Sequence, residues 1–142
     1  MTAASVRRLR KLVARFRGQR LGVVGDLMLD RFIRGSVSRI SPEAPVPVVE
    51  VTPGAGSEAL HPGGAANVVA NLVALRAVAI PFGVIGGDEA GAALVRELVR
   101  LGASPAGVMR DTARTTTVKM RIIAGHQHVV RADWEERRPL GR

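Results

Sequence analysis

The chain has 142 residues, of which 46% are hydrophobic and only 3% aromatic, so one ordinary domain can bury a core of Val, Leu, Ile and Ala. There is no cysteine, which excludes disulfides and thiolate metal sites, and no apolar run approaches the ~20 residues of a membrane span. The formal net charge is +9, yet Arg7, Arg8, Arg10, Lys11, Arg15, Arg17 and Arg20 supply seven charges within residues 1–20, where there is no acid.

In that basic segment Val6, Leu9, Leu12, Val13 and Phe16 recur at helical spacing. They predict an amphipathic helix over 1–20 that docks an apolar stripe and leaves a solvated basic face, with Gly18 as its stop. The segment lacks the apolar run and cleavage site of a secretory signal, so the expected location is the cytoplasm.

LGVVGDLMLD (21–30) predicts a buried strand from Leu21 to Val24 that breaks at Gly25. Asp26 and Asp30 follow just beyond its end, where open α/β sheets place ligands. RFIRGSVSRI (31–40) alternates weakly and leads into PVPVVEV (45–51). That stretch reads as an edge strand, because Pro42, Pro45 and Pro47 remove donors that an edge can spare.

TPGAGSEALHPGG (52–64) reads as loop. AANVVANLVAL (65–75) has the period of a helix, apolar around most of its circumference and therefore expected to be largely buried. IPFGVIGG (80–87) is a second buried strand. DEAGAALVRELVRLGA (88–103) is an amphipathic helix opened by acids, as its dipole favours, and closed by Gly102. TTTVKMRIIAG (115–125) and HQHVVRAD (126–133) read as paired strands joined at Gly125. The order indicates an α/β protein with a smaller β excursion near 31–51 and 115–131.

The strongest candidate for chemistry is PGGAAN (62–67). Gly63 and Gly64 let a ligand approach the backbone, the helix behind them presents free N–H groups, and Asn67 can both donate and accept. A plain turn with a helix cap explains the same spacing equally well. A carboxylate at Asp26 or Asp30 suits two sugar hydroxyls, and equally suits a cap. GAGSEA (54–59) matches a loose dinucleotide pattern but no good helix follows it. GVIGGDEAG (83–91) lacks the Lys-Ser/Thr of a phosphate loop. His126 and His128 read as solvent-facing strand residues, since no further metal ligand has suggestive spacing.

Five stretches occur in one order: GDLMLDRF (25–32), RISPEAPVPVVEV (39–51), PGGAANVVANLVAL (62–75), GVIGGDEAG (83–91) and TTTVKMRIIAGHQHVVRAD (115–133). Together, over residues 8–135, they resemble the N-terminal part of the ribokinase/phosphofructokinase B family of carbohydrate kinases. The ISPEAPVPV segment is similar to the heptose 7-phosphate kinases within it, which often form the first domain of a bifunctional ADP-heptose synthase. The resemblance implies a ribokinase-like α/β fold over 21–142, part of a mainly parallel sheet flanked by helices, with a small β-sheet lid. It implies that Asp30, Gly63, Gly64 and Asn67 hold the sugar, with Asp26, Lys119 and Arg121 as further candidates, the last two toward its phosphate. It also implies homodimerisation through the lid, and ATP with Mg²⁺ as cofactors of the complete enzyme.

Three positions depart from the family pattern: Arg76 stands where relatives close a helix with Gly, Gly87 replaces a common Asp, and the 52–61 loop is longer. The Gly-Ala-Gly-Asp motif that carries the catalytic base and anion hole is absent from the 142 residues, as is the ATP-binding half. The expectation is the sugar-binding front portion of a heptose kinase, inactive alone, with no catalytic residue, metal ligand or bound cofactor of its own. Another ribokinase-family sugar kinase, or a non-catalytic dimerisation or RNA-binding module, is the alternative reading. Membrane partners are not expected, and the confinement of charge to one segment argues against nucleic acid.

Overall fold

The computed structural model describes residues 2–54 and 56–140; Met1, Ala55 of the GAGSEA stretch, and the last two residues of the expected 21–142 domain lie outside the described residues. In chain order the elements are α1 (Ala3–Ala14), β1 (Arg20–Val24), β2 (Leu27–Ile40), β3 (Pro47–Glu50), β4 (Glu58–Gly64), α2 (Ala65–Ala74), β5 (Val78–Gly86), α3 (Glu89–Arg100), β6 (Gly107–Asp111), β7 (Thr117–Ala124) and β8 (Gln127–Trp134).

Two sheets result. β1, β5 and β6 form a parallel sheet in the order β1-β5-β6, and a five-stranded outer sheet runs β3-β2-β7-β8 with β4 also on β2. β2 is the spine of the outer sheet. It pairs antiparallel with β4 along Leu27–Ile33 and with β3 along Ser36–Ile40, and parallel with β7 along Met28–Gly35. The architecture is a parallel sheet with helices packed on one face and a separate small sheet beside it.

The core lies where the two sheets meet under α2 and α3. One face of the parallel sheet contributes Ala79 and Ile85, α2 contributes Ala66 and Val69, and α3 contributes Ala93, Leu94 and Leu98. Leu27 and Leu29 complete it from the first residues of β2, so the outer sheet is rooted in the core by one strand's inward positions. The other face of the parallel sheet is open: Val24 is 83% exposed, and Val78, Phe82 and Met109 are exposed beside it.

A polar clasp joins the sheets on the far side of that core. Asp88 caps α3, its Oδ1 accepting the Gly91 amide at 2.8 Å, and the same oxygen accepts the Thr116 hydroxyl at 2.6 Å. Its Oδ2 accepts the Thr116 amide at 2.8 Å, and Thr116 Oγ1 in turn accepts the Gly86 amide at 2.8 Å. A Cβ on Gly86 would sit 2.7 Å from the Arg114 carbonyl, and one on Gly91 would sit 2.6 Å from the Gly86 carbonyl, so both glycines are required by close approach. The Gly-rich turn at 83–91 therefore serves packing and capping, as its missing Lys-Ser/Thr implied.

The structure corrects several expectations. The 52–64 stretch is not all loop, because β4 forms over Glu58–Gly64. Asp30 does not lie past a strand end but inside β2, whose 14 residues join stretches read as separate. β6 had no counterpart in the sequence reading. The stripe on α1 is not docked: Leu9, Leu12 and Val13 are about half exposed. Nor is α2 largely buried, since Val68 faces out while Ala66 and Val69 face in. Pro47 does open an edge strand, paired with Ile40, as the proline spacing predicted.

Both α2 and α3 end in the same motif. In α3 the Gly102 amide bonds the Val99 carbonyl and the Ala103 amide bonds that of Leu98, with Gly102 at φ 88°. In α2 the Arg76 amide bonds Val73 and the Ala77 amide bonds Leu72, with Arg76 at φ 66°. The arginine noted as a departure thus occupies a left-handed position that disfavours a Cβ.

Arg76→Gly is accordingly expected to stabilise the fold by about 0.5–1 kcal/mol, read from the urea midpoint. Thr116→Val is expected to cost about 1–3 kcal/mol, because it keeps the shape but leaves the buried Gly86 amide and one Asp88 lone pair unmet. Burial alone would raise the Asp88 carboxyl, but the Thr116 hydroxyl and the Thr116 and Gly91 amides outweigh it and hold it below its ordinary value. Its contribution is therefore fully present above about pH 4 and is lost as pH falls through the lowered value. A urea series across that range should show a steeper acid loss in the native chain than in Asp88→Asn.

Candidate functional site

The site begins with the turn from β4 into α2. Gly64 caps α2 at φ 55° with no side-chain capping bond, and the Ala65 amide donates to the Asp26 carbonyl at 2.9 Å. A Cβ on Gly64 would lie 2.5 Å from that same carbonyl. The glycine pair thus lets the start of α2 press directly on the β1–β2 connection, so the turn in PGGAAN is structurally required and spends the first α2 amide on the Asp26 carbonyl.

Asp30 occupies the fourth position of β2, opposite His61 of β4 and Lys119 of β7. A Cβ on Gly63 would lie 2.9 Å from the Asp30 Cγ and Oδ2, so this carboxylate rests against the glycine backbone. Its other oxygen, Oδ1, accepts from Arg121 Nη1 at 2.6 Å, and both side chains are only 20% exposed. Asp30, Gly63 and Arg121, singled out separately in the sequence, are one cluster. Asn67 sits on the exposed face of the first turn of α2, its carbonyl taking a bond from Asn71 Nδ2 at 3.0 Å.

Lys119 shares the face of Asp30 and Arg121 but is engaged by acids on β8 and just beyond its end. Its Nζ lies 3.0 Å from Asp133 Oδ2 and 3.5 Å from Glu135 Oε2. Hydrogen bonding from Lys119, with Arg131 beside it, holds the Asp133 carboxyl below the ordinary range. Asp26 is exposed at the mouth of an open cleft of about 700 Å³ between the two sheets, where Met28, Thr117, Lys119 and Phe82 also line the wall. The cleft and the Asp30 cluster meet at Met28, whose side chain underlies both glycines.

Sequence reasoning missed two members of this face. Phe32 lies on the Asp30 side of β2, with the Arg121 guanidinium 5.2 Å and the Arg34 guanidinium 5.8 Å from its ring centre. His61 meets the same ring edge-on at 5.5 Å. Phe32 stands two residues after Asp30, which would have placed it had 27–40 been recognised as one strand. His61 carried no signal, because it fell in a stretch read as loop. His126 and His128 are exposed, and among the described residues no group of three His, Cys, Asp or Glu is placed to hold a metal ion. Among the described residues no helix is long and apolar enough to cross a membrane.

No family model matches the chain. It is 52% identical over 132 residues to the bifunctional protein HldE of Mesorhizobium japonicum, covering 93% of this chain and 26% of that protein. It is 48% identical over 118 residues to HldE of Wolinella succinogenes, covering 83% of this chain and 24% of that one. The chain thus spans about a quarter of the length of the curated relatives it matches. Among solved structures, the Methanocaldococcus jannaschii nucleoside kinase, a ribokinase-family member, superposes with a TM-score of 0.58 at 15% identity, covering 83% of this chain and 37% of that one. The ATP-bound fructokinase of Xylella fastidiosa superposes at 0.57 and 16% identity, covering 82% and 30%. The chain is therefore a homologue of a segment of the HldE bifunctional proteins, built on the ribokinase-like fold.

Proposed function

We propose that this chain is the sugar-binding part of an ATP-dependent kinase that phosphorylates O1 of D-glycero-D-manno-heptose 7-phosphate, in the cytoplasmic route to ADP-heptose and lipopolysaccharide core. The observation that carries the reading is the contact of the Asp30 carboxylate with Gly63 at the start of α2, in a chain so similar to HldE proteins. A carboxylate beside a backbone that carries no side chain, with the amide side chain of Asn67 on the next helical turn, offers acceptors and a donor together, which is what vicinal hydroxyls need.

In this reading Asp30 accepts sugar hydroxyls, and Gly63 and Gly64 let the ring approach the backbone. Asn67 donates and accepts from the first turn of α2. Asp26 faces the cleft from the β1–β2 turn as a further hydroxyl acceptor. Arg121 and Lys119 face the sugar's phosphate. The outer sheet acts as a lid over the bound sugar, and its edge strands are the surface through which two copies pair. ATP supplies the transferred phosphoryl group and Mg²⁺ offsets its charge. In this reading nucleotide and metal belong to the part of the relatives that this chain does not span.

Asp30→Ala is expected to weaken binding of D-glycero-D-manno-heptose 7-phosphate to the chain by about 30-fold or more in calorimetry, as loss of a charged acceptor does. An unchanged affinity would remove Asp30 from the sugar site and the reading with it.

A further inference from the structure

The contact between Arg121 and Asp30 poses a problem for any sugar that needs both oxygens of that carboxylate. Oδ1 is already taken by Arg121 at 2.6 Å, while Oδ2 faces the Gly63 backbone. Both charged groups are largely shielded, so drawing Arg121 away with nothing in exchange would strand two opposite charges in a partly desolvated face.

The surroundings of Arg121 show how an exchange can occur. The same Nη1 also donates to the Lys119 carbonyl at 3.3 Å, and the guanidinium lies over the Phe32 ring at 5.2 Å. A planar guanidinium stacked on an aromatic face can slide across it while keeping that contact. Its donor fork matches a phosphate as well as a carboxylate. The neighbouring cation, Lys119, is held by two carboxylates, Asp133 and Glu135, whereas Arg121 is held by Asp30 alone among the acids of the described residues.

The geometry points to Arg121 as the residue that selects phosphorylated over neutral sugars, by exchanging partners. Without ligand it covers Asp30. A sugar carrying a phosphate dianion gives the guanidinium a new partner, which uncovers the carboxylate for that sugar's hydroxyls. A neutral sugar offers no such partner and must compete with Arg121 for Asp30. Selection then comes from an obstacle that only the anionic ligand removes, in addition to direct attraction. No covalent step is involved. The inference rests on the sugar-kinase reading and deepens it.

The test measures binding to the whole chain by calorimetry, with D-glycero-D-manno-heptose 7-phosphate, the unphosphorylated heptose, and inorganic phosphate as probes. The native chain should prefer the phosphorylated sugar by about 100-fold. Arg121→Met should weaken the phosphorylated sugar by about 30-fold and tighten the neutral heptose by about fivefold, collapsing the preference. Arg121→Gln, which keeps polarity, should behave alike, and a thermal melt of each variant identifies any that fails to fold. A variant-free arm uses linkage: saturating inorganic phosphate should tighten neutral heptose on the native chain about fivefold, since it draws Arg121 from Asp30. Loss of phosphorylated-sugar affinity with no gain for neutral heptose, and no phosphate coupling, would overturn the exchange and leave Arg121 a plain phosphate ligand. Unchanged affinities for both sugars would make the pair purely structural and likewise overturn it. If neither sugar binds the native chain, the sugar-site reading itself fails, a result distinct from the other two.

Discussion

The two sheets of this protein share no strand, so beyond the apolar contacts of Leu27 and Leu29 their relative placement is pinned by the polar clasp of Asp88 and Thr116. One carboxylate there serves as helix cap and cross-link at once, accepting from Gly91 within α3 and from Thr116 at the start of β7. Because β7 pairs in parallel with β2, fixing Thr116 fixes the height at which Arg121 meets Asp30. A side chain with fewer acceptors at 88 would still cap a helix but would leave β7 unanchored. The polar clasp is worth its desolvation because each of its donors is met, the condition under which buried polar groups specify a fold.

A second constraint is the thickness of the β1–β2 connection. On one side a Cβ on Gly83 would lie 2.5 Å from the Gly25 carbonyl, and on the other a Cβ on Gly64 would lie 2.5 Å from the Asp26 carbonyl. The chain is sandwiched there between β5 and the start of α2, with no room for a side chain at 64 or 83. This compression carries β2 out of the core, with Leu27 and Leu29 inward and Met28, Asp30 and Phe32 on the opposite face. The candidate site is thus the reverse side of the residues that root the outer sheet. Packing and binding are coupled through alternate positions of one strand, and a register slip of one residue would exchange them.

Legibility in the sequence tracks the range of the forces involved. Local period placed α2, α3, β5 and the β7–β8 hairpin, and the prolines placed β3, because each of these signals is carried by neighbouring residues. β4 was hidden because Pro62 and two glycines look like loop; as an edge strand paired only with β2, it tolerates the missing donor. β6 is five residues long and holds no contrast of pattern. The pairing of Asp30 with Arg121, 91 residues apart, left no trace in either stretch. Asp30 and Gly63 were nonetheless legible as candidates, through their chemistry and a family resemblance; that they touch was not. Asp88 was legible as a favourable opening charge, but its larger role depends on Thr116, 28 residues further on.

The exposed apolar surface shows the same division from another side. Val24, Val78, Phe82 and Met109 lie on the face of the parallel sheet opposite α2 and α3, and the register places Val24 beside Phe82 and Val84 beside Met109. Single exposed apolar residues are ordinary, whereas a contiguous set on one sheet face is not. The register sets charges only at its ends, Arg20 beside Val78 and Asp111 beside Gly86, so little polarity interrupts its middle. The outer sheet solves the equivalent problem differently: its outward face around Asp30 pairs its charges among themselves and lays guanidinium groups over Phe32. A surface whose charges are mutually neutralised opens to an incoming anion by exchange of partners, while a bare apolar face opens to nothing that dissolves as an ion. The distribution of charge therefore distinguishes the outward face around Asp30 from the bare face of the parallel sheet, and the cleft lined by Asp26, Lys119 and Phe82 lies where the two meet.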